Sequence, residues 1–131
     1  RTEVPTYVTF GPLFYDADQL VDCARHFLDQ GFRGLKMEVG IERGGWRADV
    51  ERVRRVREAV GPDVDLMIDA NGKFSIDEAR ILCRHLAGLD IRFFEEPIWG
   101  NDPSGLAELR RVGGIPVAAG QMEPDLERFG G

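Results

Sequence analysis

Three oxygen-bearing side chains recur at one interval, since Asp69, Glu95 and Gln121 each stand 26 residues from the next. Asp69 lies in the apolar run DLMIDA over 65–70, Glu95 closes IRFFE over 91–95, and Gln121 follows PVAA over 116–119. If each run is a strand of a parallel barrel, equal spacing sets the three groups at one height on adjacent strands, converging at the mouth. Carboxylate and amide oxygens without nearby Cys or His suit Mg²⁺ rather than zinc, and Mg²⁺ keeps open positions for substrate oxygens. A divalent cation also offsets the repulsion between neighbouring carboxylates. Glu123, two residues beyond Gln121, is a second candidate for the third donor. Strand parity extends the set: in GLKMEV over 34–39, Lys36 and Glu38 point to one face, as do Asp69 and Asn71. Glu96 takes the opposite parity to Glu95 and belongs behind it.

Such a set needs a scaffold, and the chain alternates strand-like and helix-like segments throughout. A strand is expected at Thr6–Phe10. Asp16 then caps a helix whose buried side carries Leu20, Val21, Ala24, Phe27 and Leu28, closed by Gly31. After the second strand comes a helix with Trp46, Val50, Val53, Val56 and Val60 on one side, ending before Gly61-Pro62. Ser75 and Glu78 form a capping-box pair ahead of a helix with Ile76, Ala79, Leu82, Cys83 and Leu86 inward. Asp102-Pro103 starts a short helix carrying Leu106, Leu109 and Val112. Regular βα alternation means parallel strands with right-handed crossovers, either a doubly wound sheet or a barrel. The stretch FGPLFYD after the first strand lacks the GxGxxG of a dinucleotide fold. Polar residues ending successive strands match the catalytic mouth of a barrel. A full barrel takes ~250 residues, so the expected fold is α/β, a partial TIM (β/α)8 barrel of about the first five βα units, occupying 1–131.

Composition narrows the partners. With 17 Lys+Arg against 23 Asp+Glu the net charge is −6, which disfavours nucleic acid and anionic membranes. No apolar run approaches the ~20 residues of a membrane span, and the opening RTEVPTYVTF lacks the pattern of a signal peptide. A soluble, cytoplasmic protein is expected. Cys23 and Cys83 read as ordinary buried thiols, and His26 and His85 as packing or surface residues. Arg52, Arg54, Arg55 and Arg57 interleave with Asp49, Glu51 and Glu58, the pattern of an exposed, salt-bridged helix face.

Four stretches carry a resemblance: GFRGLKMEVG at 31–40, VRRVREAVGPDVDLMIDANGKFSIDEA at 53–79, FFEEPIWGND at 93–102 and GGIPVAAGQ at 113–121. In their order and spacing the chain resembles the mandelate racemase and muconate lactonizing branch of the enolase superfamily. The resemblance implies abstraction of the proton α to a carboxylate, with Mg²⁺ holding the enediolate. It makes Asp69 and Glu95 metal ligands, places Asn71 near the substrate carboxylate, and matches Lys36 to the first lysine of the family's KxK motif. Two positions depart from that pattern. Glu38 stands at the second KxK position; it could act as a base if desolvated, but an ion pair with Lys36 is the favoured expectation. Gln121 stands where a third acidic ligand is usual, which leaves Gln121 or Glu123 as the third donor.

With Glu38 so engaged, the working base would come from the far side of the barrel, and one-sided proton removal fits elimination of water. Sugar-acid dehydration is therefore the leading expectation. Racemisation, epimerisation or cycloisomerisation on the same scaffold, and a non-catalytic fragment, are the alternatives. The resemblance further implies an N-terminal capping domain and three more strands outside these residues. The expectation is of a chain inactive alone, within a homo-oligomeric protein that takes a small carboxylate substrate.

Overall fold

Residues 4–12, 14–40 and 44–124 are described by the computed structural model, and their elements begin and end where side chains satisfy the free backbone groups of helix termini. Strand β1 (Val8–Phe10) leads to α1 (Ala17–Asp29), where Asp16 and Gln19 form a reciprocal capping box. Strand β2 (Gly34–Glu38) is followed by α2 (Gly45–Val60), which has no side-chain cap and is entered through Gly44 at φ 83°. Strand β3 (Asp65–Asp69) precedes α3 (Ile76–Leu86), opened by the expected Ser75–Glu78 box. Strand β4 (Ile91–Glu95) runs through a 3₁₀ turn at Trp99–Asn101 into α4 (Pro103–Val112), where Asp102 accepts from the Gly105 N–H. Strand β5 is Val117–Ala118.

The five strands form one parallel sheet in the order β1-β2-β3-β4-β5. Each strand lies beside its neighbour in sequence, so the winding runs one way. A doubly wound sheet reverses its order part-way; a (β/α)8 barrel does not. The observed arc is therefore the partial barrel, not the dinucleotide-type alternative.

The core sits between one face of this arc and the helices. Phe10, Leu35, Met37, Leu66, Ile68, Ile91 and Phe94 point outward from the strands onto Leu20, Ala24, Val53, Val56, Leu82, Leu86 and Leu109. Burial of this layer is the main stabilising term, at roughly 25 cal/mol per Å² of apolar surface. A bulge in β4 keeps the alternation in phase: Leu66 pairs with Ile91 but Ile68 pairs with Phe94. The extra residue lets both Ile91 and Phe94 face the helices while Glu95 falls opposite Asp69.

Two expectations are corrected. Val112 is 42% exposed instead of packed, because α4 turns only Gly105 and Leu109 fully inward. The basic stretch of α2 is not one solvated face. Arg54 pairs with Glu51 on the surface, but Asp49, Arg52 and Arg57 are buried. Arg57 donates from Nε to Leu89 O at 2.9 Å, from Nη1 to Gly61 O and Val64 O at 2.8 Å each, and from Nη2 to Asp90 O at 2.9 Å. One guanidinium thus satisfies carbonyls of the loops leading into both β3 and β4. That fork of donors is what an arginine supplies and a lysine does not.

Candidate active site

The chemistry gathers on the opposite face of the sheet, at the C-terminal ends of the strands. Glu38 pairs in register with Asp69, Asp69 with Glu95, and Glu95 with Ala118. Residues in register on parallel strands share a face, and neighbouring strands lie about 4.8 Å apart. Three acidic residues therefore form a row. Lys36, two residues before Glu38 on the same face, reaches up into that row: its Nζ lies 3.1 Å from Asp69 Oδ2 and 2.5 Å from Glu95 Oε2. Lys36 and Asp69 are 7% and 4% exposed. The expected Lys36–Glu38 pair is not formed. Alternate residues of one strand point the same way without meeting, whereas a long side chain readily crosses to the adjacent strands.

Burial pulls the Lys36 ammonium toward neutrality, but hydrogen bonds and charge from Glu95 and Asp69 outweigh it and hold the group above its ordinary value. Lys36 is thus a fixed cation at neutral pH. It also tests the donor set for a metal: two carboxylates on adjacent strands turn toward one positive group. Mg²⁺ is commonly held by one or two carboxylates with water completing the shell, so Asp69 and Glu95 fit it.

The loops beyond the strands carry backbone strain. Asn71, Glu96 and Asn101 have φ of 48°, 44° and 48°, a region costly for side chains other than Gly and tolerated best by Asn and Asp. Asn71 is locked to the row by its N–H, which donates to Asp69 Oδ1 at 2.9 Å. Gln121 does not stand at the expected height: Ala118 is the residue in register with Glu95, and Gln121 lies exposed in the turn beyond β5, its backbone N–H donating to Glu96 Oε1. Glu123 accepts at Oε1 from the Asn101 side chain at 3.2 Å. Although Glu38 shares the row, only Asp69 and Glu95 meet at Lys36 Nζ, and among the described residues no three of His, Cys, Asp or Glu gather as a ligand set. Asn71 lines an open cleft of about 760 Å³ between the loops after β2, β3 and β4, with Trp99 on its rim. His26 and His85 are both exposed, and His85 stacks on Trp46 at 4.7 Å. The segment ending at Gly130-Gly131 lies outside the described residues.

Sequence reasoning missed the buried support behind this face. Asp49 accepts from the Gly40 N–H at 2.9 Å and pairs with Arg52 at 3.0 Å, and Arg52 also donates to Glu38 O at 3.3 Å. These contacts tie the end of β2 to α2. Charges at helical spacing carry no sign of which side a helix turns to the sheet; the apolar stripe of Val50, Val53 and Val56 was the available signal, since Asp49, Arg52 and Arg57 flank it.

Comparison with known proteins decides the family. Residues 19–130 match the model of the enolase C-terminal domain-like family. The chain belongs to the enolase superfamily. Within it, the chain falls among mandelate racemase and muconate lactonizing enzyme relatives. It is 34% identical over 122 residues to an arabinonate dehydratase of Saccharolobus solfataricus, a match covering 90% of this chain and 32% of that protein. It is 38% identical over 118 residues to a 3,6-anhydro-alpha-L-galactonate cycloisomerase of Streptomyces coelicolor, again covering 90% and 32%. A mandelate racemase/muconate lactonizing enzyme-like structure from Rubrobacter xylanophilus superposes with a TM-score of 0.86 at 36% identity, covering 98% of this chain and 36% of that one. A racemase from Streptomyces coelicolor with bound magnesium gives 0.83 at 38% identity, covering 90% and 32%. The chain spans about a third of the length of these enolase-superfamily relatives.

Proposed function

We propose that the protein containing this chain is a Mg²⁺-dependent lyase that removes the proton α to the carboxylate of a small sugar acid and eliminates water, with residues 1–131 supplying the first half of its barrel and the metal-binding face. The convergence of Asp69 and Glu95, in register on adjacent strands, upon one buried cation carries the metal-assisted proton abstraction. Elimination of water as its outcome is supported by the dehydratase relatives, because the Lys36–Glu38 pair on which one-sided chemistry was expected is not formed. A proton next to a carboxylate is very weakly acidic, so charge developing on its removal must meet positive groups in a site poor in water. Bound through Asp69, Glu95 and the amide oxygen of Gln121 or the carboxylate of Glu123, Mg²⁺ would supply Lewis-acid charge there. Lys36 adds a fixed ammonium and, held protonated, acts through its charge instead of as a base. Asn71 orients the substrate carboxylate as a neutral donor that does not compete with the metal. Glu38, not engaged by Lys36, is the residue of this chain placed to accept a proton; a second base would come from segments outside it. The chain alone is expected to be inactive, and the whole protein to be a homo-oligomer.

A second reading, cycloisomerisation or racemisation on the same site, is favoured by the cycloisomerase and racemase relatives and by Glu38, which Lys36 leaves unengaged. The test incubates the whole protein with sugar acids in deuterated water. Dehydration releases a 2-keto-3-deoxy acid, whereas racemisation or epimerisation exchanges the α-hydrogen and retains every oxygen. Independently, Mg²⁺ at a hundredfold excess over its Kd should raise unfolding free energy by about 2.7 kcal/mol. Asp69→Asn and Glu95→Gln should each abolish that gain; a gain surviving both substitutions would overturn the assignment.

A further inference from the structure

Glu96 has no place in the chemistry above, yet it is the most constrained residue at the mouth. It is 1% exposed and sits at φ 44°, an unfavourable conformation for a long side chain that persists only where surrounding contacts enforce it. Those contacts reach three consecutive βα units. Its N–H donates to Ala118 O at 2.9 Å, and its carbonyl accepts from the Gly72 N–H at 2.7 Å. Its Oε1 accepts from the consecutive N–H groups of Gly120 and Gln121 at 2.7 and 2.8 Å. The partner oxygen, Oε2, is buried without a hydrogen-bond partner. A carboxylate that engages two adjacent backbone donors through one oxygen fixes a turn in the way a bound anion fixes a backbone nest. Its neighbour Glu95 points to the opposite face, into the acidic row.

We propose that Glu96 is a positioning residue for the third metal donor: its Oε1 fixes the Gly120–Gln121 turn and thereby sets where the Gln121 side chain stands beyond β5. This rests on the reading of Asp69, Glu95 and Gln121 as the cation site. Reach, not charge, is what the role requires, and two conservative substitutions separate them. Glu96→Gln keeps a carbonyl oxygen at full length, while Glu96→Asp keeps the charge and loses a methylene of reach.

The experiment measures Mn²⁺ affinity of the full chain by the loss of the free-ion electron paramagnetic resonance signal, with metal-free thermal melts confirming that each variant folds. Glu96→Gln should bind as the wild type does. Glu96→Asp should bind about 10-fold more weakly, the loss typical of a group that orients a ligand. Gln121→Ala should weaken binding similarly, and Glu96→Asp should add nothing to it, the non-additivity of residues acting through one contact. Wild-type affinity in Glu96→Asp, equal losses in the Asp and Gln variants, or additive losses with Gln121→Ala would each overturn the role of Glu96. Those results leave the cation site standing provided Asp69→Asn abolishes binding. Absence of Mn²⁺ binding in the wild type, or its survival in Asp69→Asn, overturns the site and the role of Glu96 together.

Discussion

At the scale of single residues, Lys36 does what a metal would otherwise do. Its ammonium lies against one oxygen of Asp69 and one of Glu95, so one side chain bridges the two neighbouring carboxylates. Removing it leaves buried like charges uncompensated, and Lys36→Met should lose on the order of 3 kcal/mol in metal-free buffer. The same variant should then gain more from Mg²⁺ than the wild type, because cation and ammonium no longer share those oxygens. Urea unfolding with a chelator and with Mg²⁺ measures both; an equal Mg²⁺ gain in the two proteins would show that Lys36 does not contest the site. Cys83 offers a check on the core. Burial pushes its thiol up to about 11, above the value it has when unfolded, so its contribution to stability is present below about pH 9 and is lost as pH climbs toward the folded value. At pH 8 Cys83 should resist a disulfide reagent until denaturant is added, while half-buried Cys23 reacts first, as counted by released thiolate.

Among the elements, α2 positions the site from both ends. Near its start, Asp49 and Arg52 hold Gly40 and the carbonyl of Glu38, fixing the end of β2. Near its end, Arg57 gathers the loops that lead into β3 and β4. The register of Asp69 against Glu95 is thus held from below by a side chain that touches neither. Arg57→Ala should cost about 3 kcal/mol, since four hydrogen bonds from a charged donor disappear at a buried position. Arg57→Lys should recover little, because an ammonium cannot span the same carbonyls. Chemical denaturation of the three proteins measures this, and full recovery by lysine would mean that charge, not the fork, matters.

The whole molecule is an arc with helices on one face. Among the described residues β1 pairs only with β2 and β5 only with β4, and the inner face at the strands' N-terminal ends is an open cleft of about 710 Å³ bordered by Tyr7, Met67 and Phe93. In a closed barrel that space is filled by side chains from all the strands. Unpaired parallel edges and an uncovered inner face favour association. As a separate polypeptide, the 131-residue chain should therefore sediment with a coefficient that rises with concentration; a monomer at every concentration would contradict this. No helix among the described residues is long and apolar enough to cross a membrane.

Much of this was written in local sequence. Apolar periodicity and capping residues set the alternation of elements and nearly all their boundaries, because both act over a few residues and need no distant partner. The 26-residue interval and strand parity aligned Asp69 with Glu95 and put Lys36 and Glu38 on their face. Tertiary structure alone decided which charges meet. Lys36 crosses to two neighbouring strands instead of pairing along its own, Arg57 turns inward from a run that reads as solvated, and Glu96 grips a turn 24 residues ahead. Those choices depend on the register between strands, the β4 bulge and the rotation of α2, which are settled by packing the outer apolar layer. Charge spacing along one segment is the same whichever neighbour the fold brings to it.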